Sequence, residues 1–231
     1  MLFDSGMKPI CDTRITGAPA PDATIATLAR RSVTAAARWQ IGDPVSLTLV
    51  AGPAEEPVSL AEAKAALRID GDSSDADIEA LISSARESAE HETGRSLMPQ
   101  TWRVELDDWP AGGAVALGRS PVASLVGAEY WDGSDWQPVP APVLLRSGER
   151  WSVVPALGAN WPTPGLGLGA RCRVTFVAGY ADAAAVPASI KRWIIAQVGG
   201  WYANPEAVGT VFQKESPFLA ALLQPHRLYG P

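Results

Sequence analysis

The chain has 231 residues, of which 47% are hydrophobic, enough to bury one main core or one core with a smaller appended layer. Its formal net charge of −6 argues against a surface that grips the DNA backbone, because that task needs clustered Lys and Arg. Its two cysteines, Cys11 and Cys172, lie too far apart to suggest a CxxC metal site or a disulfide framework, which fits folding in a reducing cytoplasm.

Residues 1–57 are predicted to form a partly irregular N-terminal extension, because six prolines break them into short pieces. One helix is predicted within them, from Asp22 to Trp39. Asp22 is a suitable N-cap, and Ile25, Leu28 and Val33 lie on one side of the helix. No apolar run long enough for a membrane span occurs in the chain, and the first residues lack the apolar core of a secretory signal.

Two short amphipathic helices are predicted within residues 59–94, and we expect them to pair as a hairpin. Ser59 and Glu62 have the spacing of a capping box, which satisfies two backbone donors at a helix start. Ser74 or Asp75 begins the second helix, which ends near Thr93. Apolar residues recur at helical spacing in both segments: Leu60, Ala63 and Leu67, then Ile78, Leu81, Ile82, Ala85 and Ala89.

Residues 100–178 are predicted to form an inserted antiparallel β region, because the apolar period changes to two after Pro99. The turn at Asp132–Ser134 has the composition of a tight hairpin. The strongest strand pattern is at Arg171–Val177, with Cys172, Val174 and Phe176 on one face. Further strands are predicted at Trp102–Leu106, Ala114–Leu117, Ser124–Trp131, Trp136–Val139, Leu144–Arg146 and Trp151–Val154.

A third helix is predicted over residues 187–203, where a nearly apolar stripe closes the core. A C-terminal tail, 217–231, begins with the apolar piece Pro217–Leu223, and its last part, 224–231, is predicted to be exposed. The predicted fold class is therefore α+β. A small helical bundle of the two N-terminal amphipathic helices and the C-terminal helix forms the core of a domain over 58–231, and the antiparallel β region is inserted into it.

The sequence predicts no catalytic, metal or cofactor site. Neither of the two histidines, His91 and His226, belongs to a motif that contains a nucleophile. His91 is expected to be solvated or ion-paired. The acidic run Asp70–Glu79 does not obey the EF-hand spacing and is interpreted as a solvated capping loop. The glycine-rich stretch Gly165–Ala170 precedes a strand instead of linking a strand to a helix, so it is interpreted as a flexible loop.

Four phrases of the chain, taken in order, resemble the bacteriophage head-tail connector family, in the branch with a β insertion between helices. They are PVSLAEAKAALRID, IEALISSARESAEHETGRSLMPQTWRVELDDWP, VTFVAGYADAAAVPASIKRWIIAQVGGWYANPEAV and PFLAALLQPHRL. Together they cover roughly Pro57 to Leu228. The junction ETGRSLMPQTW followed by VAGYADAAAVPASIK is the most specific part, whereas residues 1 to about 45 have no counterpart in the family.

The resemblance implies a structural virion protein without catalytic activity. Its identical subunits would form a ring, twelve-fold in the family, that binds the portal protein below the capsid vertex and offers a docking surface to stopper, tail-terminator or tail proteins. DNA would only pass through the ring's channel, without sequence-specific contact. The protein would fold in the host cytoplasm and function in the neck of the virion, and it would need neither a cofactor nor a membrane.

Two surfaces are candidates for these contacts. Portal binding is predicted for the tail, whose apolar residues have little prospect of burial in their own subunit: Phe218, Leu222, Leu223, His226, Arg227, Leu228 and Tyr229. Contact with a neighbouring subunit or with the phage tail is predicted for Trp131, Trp136 and Trp151. They fall in or near hairpins without basic residues around them in the sequence. The alternatives are another neck ring protein, such as a tail terminator or stopper, and, as an enzyme, a small hydrolase.

Overall fold

The computed structural model of the protein describes residues 44–111, 113–204 and 217–228, which fall within one compact unit spanning 40–231. The predicted helix at Asp22–Trp39 lies outside the described residues. The helices are α1 (Leu60–Leu67), α2 (Asp75–Thr93), α3 (Ala188–Ala203) and α4 (Pro217–Leu223), the last followed by a 3-10 turn at Gln224–His226. The strands are β1 (Pro44–Ala51), β2 (Gln100–Leu106), β3 (Val115–Ala116), β4 (Val122–Trp131), β5 (Trp136–Pro138), β6 (Val143–Ser147), β7 (Arg150–Val154) and β8 (Cys172–Ala178). The α+β class is confirmed.

The helix boundaries follow the predicted capping signals. The Glu62 N–H donates to Ser59 Oγ at 3.2 Å, and the Ser59 N–H donates to Glu62 Oε2 at 2.9 Å, which completes the capping box of α1. Ser74 is the N-cap of α2, although its side chain makes no capping hydrogen bond. Gly94 ends α2 with a φ of 71°, a conformation that glycine adopts without steric cost.

Helices α1, α2 and α3 and the tail surround one apolar cluster, which we call the helical cluster. Ile78, Ile82 and Ala85 of α2 meet Ile190 and Ile194 of α3 in it. Its buried members are Val58, Ala63, Ile78, Ile82, Ala85, Ala89, Leu97, Met98, Val186, Ile190, Trp193, Ile194, Val198 and Leu223. The stripes that the sequence analysis placed on α2 and α3 are therefore the faces that pack here.

The β region contains two antiparallel sheets, and their facing residues form a second apolar cluster, the sheet cluster. One sheet has five strands in the order β1-β2-β8-β4-β5, and the other has three in the order β3-β7-β6. Alternate residues of β2 and β8 are buried, as the period of two predicts. The cluster comprises Trp102, Val104, Leu106, Trp109, Val115, Leu117, Val122, Ala128, Val139, Val153, Cys172, Val174, Phe176 and Ala178.

Strand β1 is a feature for which the sequence analysis predicted no element. It pairs antiparallel with β2, with Leu47 opposite Val104 and Leu49 opposite Trp102. Leu47 packs against the sheet cluster, so this part of the residues 1–57 belongs to the sheet. Pro44 is compatible with this position because it is the first residue of an edge strand, where a missing N–H breaks no central ladder.

The register gives the five-stranded sheet two distinct ends. At one end β2 begins with Gln100 just after α2, and Gln100 lies opposite Ala178, where the chain leaves β8 toward α3. We call this the helical end. At the other, the distal end, β2 finishes at Leu106 opposite Cys172, and the β4–β5 hairpin turns between Trp131 and Trp136.

Apolar residues of the tail are covered by their own subunit, contrary to the prediction that they have little prospect of burial there. Leu223 is only 1% exposed and belongs to the helical cluster, and Leu219 and Leu222 pack against the same cluster. This burial has no local signal, because α4 is short and its apolar residues pack on α3 and on α2, and α2 lies far earlier in the chain. The described part of the tail is thus docked on its own subunit.

Candidate interaction surfaces

A buried polar layer, which we call the polar seam, lies between the two apolar clusters. Its centre is Glu90 of α2, whose Oε2 accepts from Arg86 Nη1 at 2.8 Å and whose Oε1 accepts from the Leu97 N–H at 2.7 Å and Gln100 Nε2 at 2.6 Å. Glu56 Oε2 accepts from Arg86 Nε at 2.9 Å. Its buried members are Arg86, Glu90, Thr93, Arg95, Ser96, Gln100 and Ser120.

Glu90 connects the last turn of α2 to the first strand of the sheet. Burial raises the pKa of the Glu90 carboxyl above its ordinary value, against the opposing effects of the Leu97 N–H, Arg86 and Gln100. Because its partners come from α2, from the following turn and from β2, the carboxylate holds three consecutive segments together. Two of the partners, Leu97 and Gln100, lie in the ETGRSLMPQTW junction that was the most specific part of the family resemblance.

Arg95 extends the seam to the tail and to the smaller sheet. Its Nε donates to the carbonyl of His226 at 2.6 Å, and its Nη2 donates to Glu149 Oε2 at 2.8 Å in the β6–β7 turn. The Leu228 N–H donates to the Thr93 carbonyl at 2.8 Å, and Arg227 pairs with Glu92. The C-terminal end of α2 is therefore an anchoring site for the tail.

The predicted portal-binding residues are distributed unevenly over this anchored tail. Leu223 is buried, while Leu222, His226, Arg227 and Leu228 are half-buried. The Leu228 side chain lies against Gly94, where an added Cβ would meet it at 3.5 Å. The side chains of Phe218 and Tyr229 lie outside the described part of the structure.

The two histidines lie in different surroundings. His91 is exposed on α2. The His226 Nε2 lies 2.8 Å from Ser189 Oγ, and burial together with the nearby Arg95 lowers the pKa of His226. Its neighbours therefore fit a structural contact between the tail and α3.

Two of the three predicted tryptophans meet at the distal end. Trp131 and Trp136 face each other across the β4–β5 hairpin with ring centroids 5.9 Å apart in an edge-to-face arrangement. The Arg173 guanidinium lies 4.1 Å from the Trp136 ring centroid and also pairs with Glu129 at 2.6 Å. Both indoles are half-buried, so they present part of their surface to solvent.

Trp151 lies elsewhere. It belongs to β7 of the smaller sheet, packs against the sheet cluster and has Arg146 at 5.5 Å from its ring centroid. The neighbouring β6–β7 turn carries Glu149, which pairs with Arg95 at the helical end. Trp151 is therefore close to the tail's anchoring site and not to the Trp131–Trp136 pair.

A glycine-leucine loop, Gly165–Gly169, lies on the β4–β5 hairpin. The Gly165 N–H donates to the Trp131 carbonyl at 2.7 Å, and a Cβ at Gly165 would come within 2.3 Å of the Asp132 backbone. A Cβ at Gly167 would lie 3.2 Å from the Trp131 ring. With the glycines turned toward the hairpin, Leu166 and Leu168 are 91% and 105% exposed.

The same connecting segment contains an aromatic contact that the sequence analysis missed. Trp161 stacks on Trp109 with ring centroids 4.1 Å apart and an angle of 8° between the rings. Its Nε1 donates to the Gly113 carbonyl at 2.9 Å. The segment from β7 to β8 is thus held at Trp161 and again at Gly165. The two tryptophans lie far apart in the chain, so no local pattern marks the contact.

The five-stranded sheet also carries an open groove of about 690 Å³ on its outer face. Arg103, Glu129, Arg173 and Thr175 supply its polar lining, and Val126 is among its apolar residues. No group of three or more His, Cys, Asp or Glu suited to a metal ion occurs within 44–111, 113–204 or 217–228. Over the same ranges, no helix has the length and apolar character required to cross a membrane.

Residues 57–116 match the family model of the phage gp6-like head-tail connector protein. The head-tail connector resemblance is confirmed. The matched stretch begins at the capping box, contains α1, α2 and β2, and includes the Glu90 junction of the polar seam. No curated protein matches the chain.

The fold is similar to chains of solved gene transfer agent (GTA) particles. A chain from the neck of an empty GTA particle computed with C6 symmetry has a TM-score of 0.68 at 23% identity, and a chain from the virion of a native GTA particle has 0.68 at 24%. A chain from the neck of a native GTA particle computed with C12 symmetry has 0.67 at 23%. Each match covers 81% of this chain and 97% of the neighbour's. The shared fold therefore includes both the helical and the β region.

Proposed function

We propose that this chain is a structural protein of a virion neck that connects the head to the tail. The family match over residues 57–116 carries the proposal, because it falls on the helical hairpin and the Glu90 junction that position the remaining elements. The fold that the chain shares with chains of GTA neck and virion structures supports it. The role is mechanical, and no enzymatic step is assigned to it.

The chemical difference between the two ends of the molecule fits a protein with two kinds of partner. The helical end presents the docked tail with charged side chains of Glu92, Arg95 and Arg227 around it. The distal end presents Trp131 and Trp136. Contacts with two different partners require two unlike surfaces, and these two differ in charge and in aromatic content.

We assign the helical end to the portal protein and the distal end to the tail side, with Trp131 and Trp136 in the contact. In this arrangement identical subunits pack head to tail around an axis, and a fixed rotation closes the ring. Twelve subunits are expected from the family resemblance. Trp151, beside the β6–β7 turn, is then expected to contribute to the portal side or to a subunit contact near it.

The acidic character of the helical hairpin suits a channel through which DNA slides. Residues 59–95 carry nine acidic and four basic side chains, a net charge of −5. Asp70, Asp77 and Glu79 are exposed, whereas Lys64 is already paired with Asp72 and Asp75. An acidic surface repels the phosphate backbone and gives no hold for sequence-specific contact.

The docked tail changes the form of the portal-binding hypothesis. Because Leu223 is buried in its own subunit, we expect it to support the tail, while Phe218, Leu222, His226, Arg227, Leu228 and Tyr229 contribute surface to the portal. Removing residues 224–231 would delete the contacts to Thr93, Arg95 and Glu92 as well as the binding surface. A shorter deletion, 229–231, keeps all of those intramolecular contacts.

The two deletions form a matched pair for measuring attachment to purified portal. We expect the 224–231 deletion to abolish co-sedimentation with portal and to lower the melting temperature, because buried Arg95 loses its carbonyl partner. The 229–231 deletion is expected to keep the wild-type melting temperature and to weaken portal binding. Portal binding that is unchanged in both variants would rule out the tail as the portal-binding element.

The alternative role as a tail terminator or stopper places the chain on the tail side only. Co-sedimentation with purified portal and, separately, with purified tail tube distinguishes the two roles. The connector role predicts stable binding to portal in the absence of tail tube. Binding to tail tube alone would favour the terminator. The small-hydrolase alternative is disfavoured, because the family match is to a head-tail connector protein and the fold is shared with chains of GTA neck and virion structures.

A further inference from the structure

We infer that the glycine-leucine loop is the surface by which one subunit binds the next, and that its counterpart is the free edge of β1. The inference rests on the proposed ring. In a head-to-tail ring each subunit needs two unlike complementary surfaces, one on each flank. The loop and β1 meet that requirement.

The glycine-leucine loop is constructed to present its leucines. Gly165 lies so close to the Asp132–Gly133 backbone that no side chain fits there, and Gly167 lies on the Trp131 ring. The loop is therefore seated on the hairpin, and Leu166 and Leu168 are held in solvent at 91% and 105% exposure. Apolar side chains held out in this way mark an interaction site, because burying them on a partner is strongly favourable.

The free edge of β1 has matching properties. Leu49 and Val50 are 45% and 49% exposed on a strand that, among the described residues, pairs with β2 on one side only. An apolar edge strand is a ready site for association, and soluble proteins usually protect such edges with charged residues. The sequence from Pro44 to Ala54 has no charged residue to do so.

The chemistry and positions of the two surfaces favour a second copy of the chain as the occupant. The segment Pro155–Ala170 also has no charged residue, so neither surface offers a charge to nucleic acid or to a charged partner. In the strand order β1-β2-β8-β4-β5, β1 is one edge of the sheet and β5 is the other, and the loop lies on the β4–β5 hairpin. The two surfaces therefore occupy opposite flanks of the sheet.

Two paired-aspartate variants test the contact by sedimentation velocity of the full chain. One carries L166D and L168D, and the other carries L49D and V50D. Each variant alone is expected to lose self-association by at least about 100-fold, since two anchoring side chains are removed from the contact. The control is Val126→Asp, which introduces an aspartate at another exposed apolar position, on the outer sheet face. This variant is expected to self-associate like the wild type.

Mixing the two variants separates a head-to-tail contact from a symmetric one. In the mixture the intact loop of the β1 variant meets the intact β1 of the loop variant, while the other contact pairs aspartates with aspartates. We therefore expect one-to-one pairs that do not extend further. A mixture that stays monomeric, or a wild type that stays monomeric at about 1 mM, overturns the inference.

Gly165→Ala gives a second test that introduces no charge at the contact. A methyl group at this position lifts the loop from the hairpin, so self-association should fall while the circular dichroism spectrum is retained. If L49D with V50D does not fold, Leu49→Ser with Val50→Thr replaces it with side chains compatible with a strand. Normal self-association of the folded loop variants would also overturn the inference.

A failure of the inference is distinguishable from a failure of the proposed function. Loop variants that self-associate normally but no longer join tails would assign the loop to the tail partner, which rejects the inference and retains the neck role. Wild-type chain that self-associates through these surfaces but does not bind portal would reject the connector role and retain the contact.

Discussion

The helical region and the β region differ in how far their packing can be read from patterns between near neighbours in the sequence. The helical cluster joins α2 and α3 through stripes that repeat every three to four residues, whereas the sheet cluster joins strands from two sheets whose order does not follow the chain. Both clusters are apolar. In the described part of the chain, the buried polar residues between 86 and 120 form the seam that separates them. The two clusters bury the apolar side chains, whereas the seam fixes how helix and sheet are joined.

Removing the centre of the seam is expected to give the largest effect. Glu90→Ala removes the buried carboxylate partner of Arg86, which keeps Glu56, and deprives the Leu97 N–H and Gln100 of their acceptor. Removing one partner of a buried pair costs about 3–5 kcal/mol, so the free energy of unfolding measured in urea should fall by that amount. Glu87→Ala, which removes a 70% exposed carboxylate from the same arginine, is the control and should cost less than about 1 kcal/mol. Equal losses would contradict a special role of the seam.

Cavities placed in each cluster test whether the seam couples them. Ile190→Ala in the helical cluster should cost about 2–5 kcal/mol, and Phe176→Ala in the sheet cluster about 3–5 kcal/mol. If the seam makes one cooperative unit, hydrogen exchange in α3 and in β8 should accelerate together in either variant. Acceleration confined to the mutated cluster would show that the two regions open independently.

A smaller effect is expected where the seam meets the tail. Arg95→Ala removes the hydrogen bonds to the His226 carbonyl and to Glu149. Because the Glu149 side chain is 57% exposed and adds little, the total loss should be about 1.5–3 kcal/mol. Limited proteolysis should then cleave the tail faster than in the wild type. Arg146→Ala also removes a partner of Glu149, but its side chain is 60% exposed, so it should leave the tail protected.

The smallest expected effect is a pH dependence that sharpens the role of Glu90. Because burial raises its folded-state pKa, the folded protein holds the Glu90 proton more tightly than the unfolded chain. The stability of the wild type relative to Glu90→Gln should therefore be greatest below the unfolded pKa and fall as the pH rises through the folded pKa. Urea unfolding of both proteins from about pH 4 to pH 8 measures the difference. A difference that grows with pH would contradict the direction of the shift.

Local patterns predicted much of the fold. The capping box at Ser59 and Glu62, the stripe of α2 and the alternation in β8 are satisfied within a few residues, so the sequence shows them directly. The Asp132–Ser134 turn likewise joins two strands that are adjacent in the chain. The docking of α4, the stacking of Trp161 on Trp109 and the seating of Gly165 on the hairpin each join distant segments, and none has a local signal.

The candidate surfaces divide in the same way. The tryptophans and the tail could be selected by composition, but only the structure separates Trp151 from Trp131 and Trp136 and places Leu223 in the core. The stretch Gly165–Ala170 was interpreted as a flexible loop. Its role in holding two leucines in solvent depends on the Trp131 ring and the Asp132 backbone beneath it. Both lie far earlier in the chain.

By itself the sequence determined the α+β class, helices α1 to α3, most strands and the phrases that resemble the head-tail connector family. Periodicity, caps and turns act between near neighbours, and their energies do not depend on the rest of the chain. The tertiary structure decided that β1 joins the sheet, that the tail docks on Arg95, and that Glu90 is the buried link between helix and strand. Those outcomes depend on which distant groups meet, because a buried charge or an edge strand is stabilised only by partners that folding brings to it.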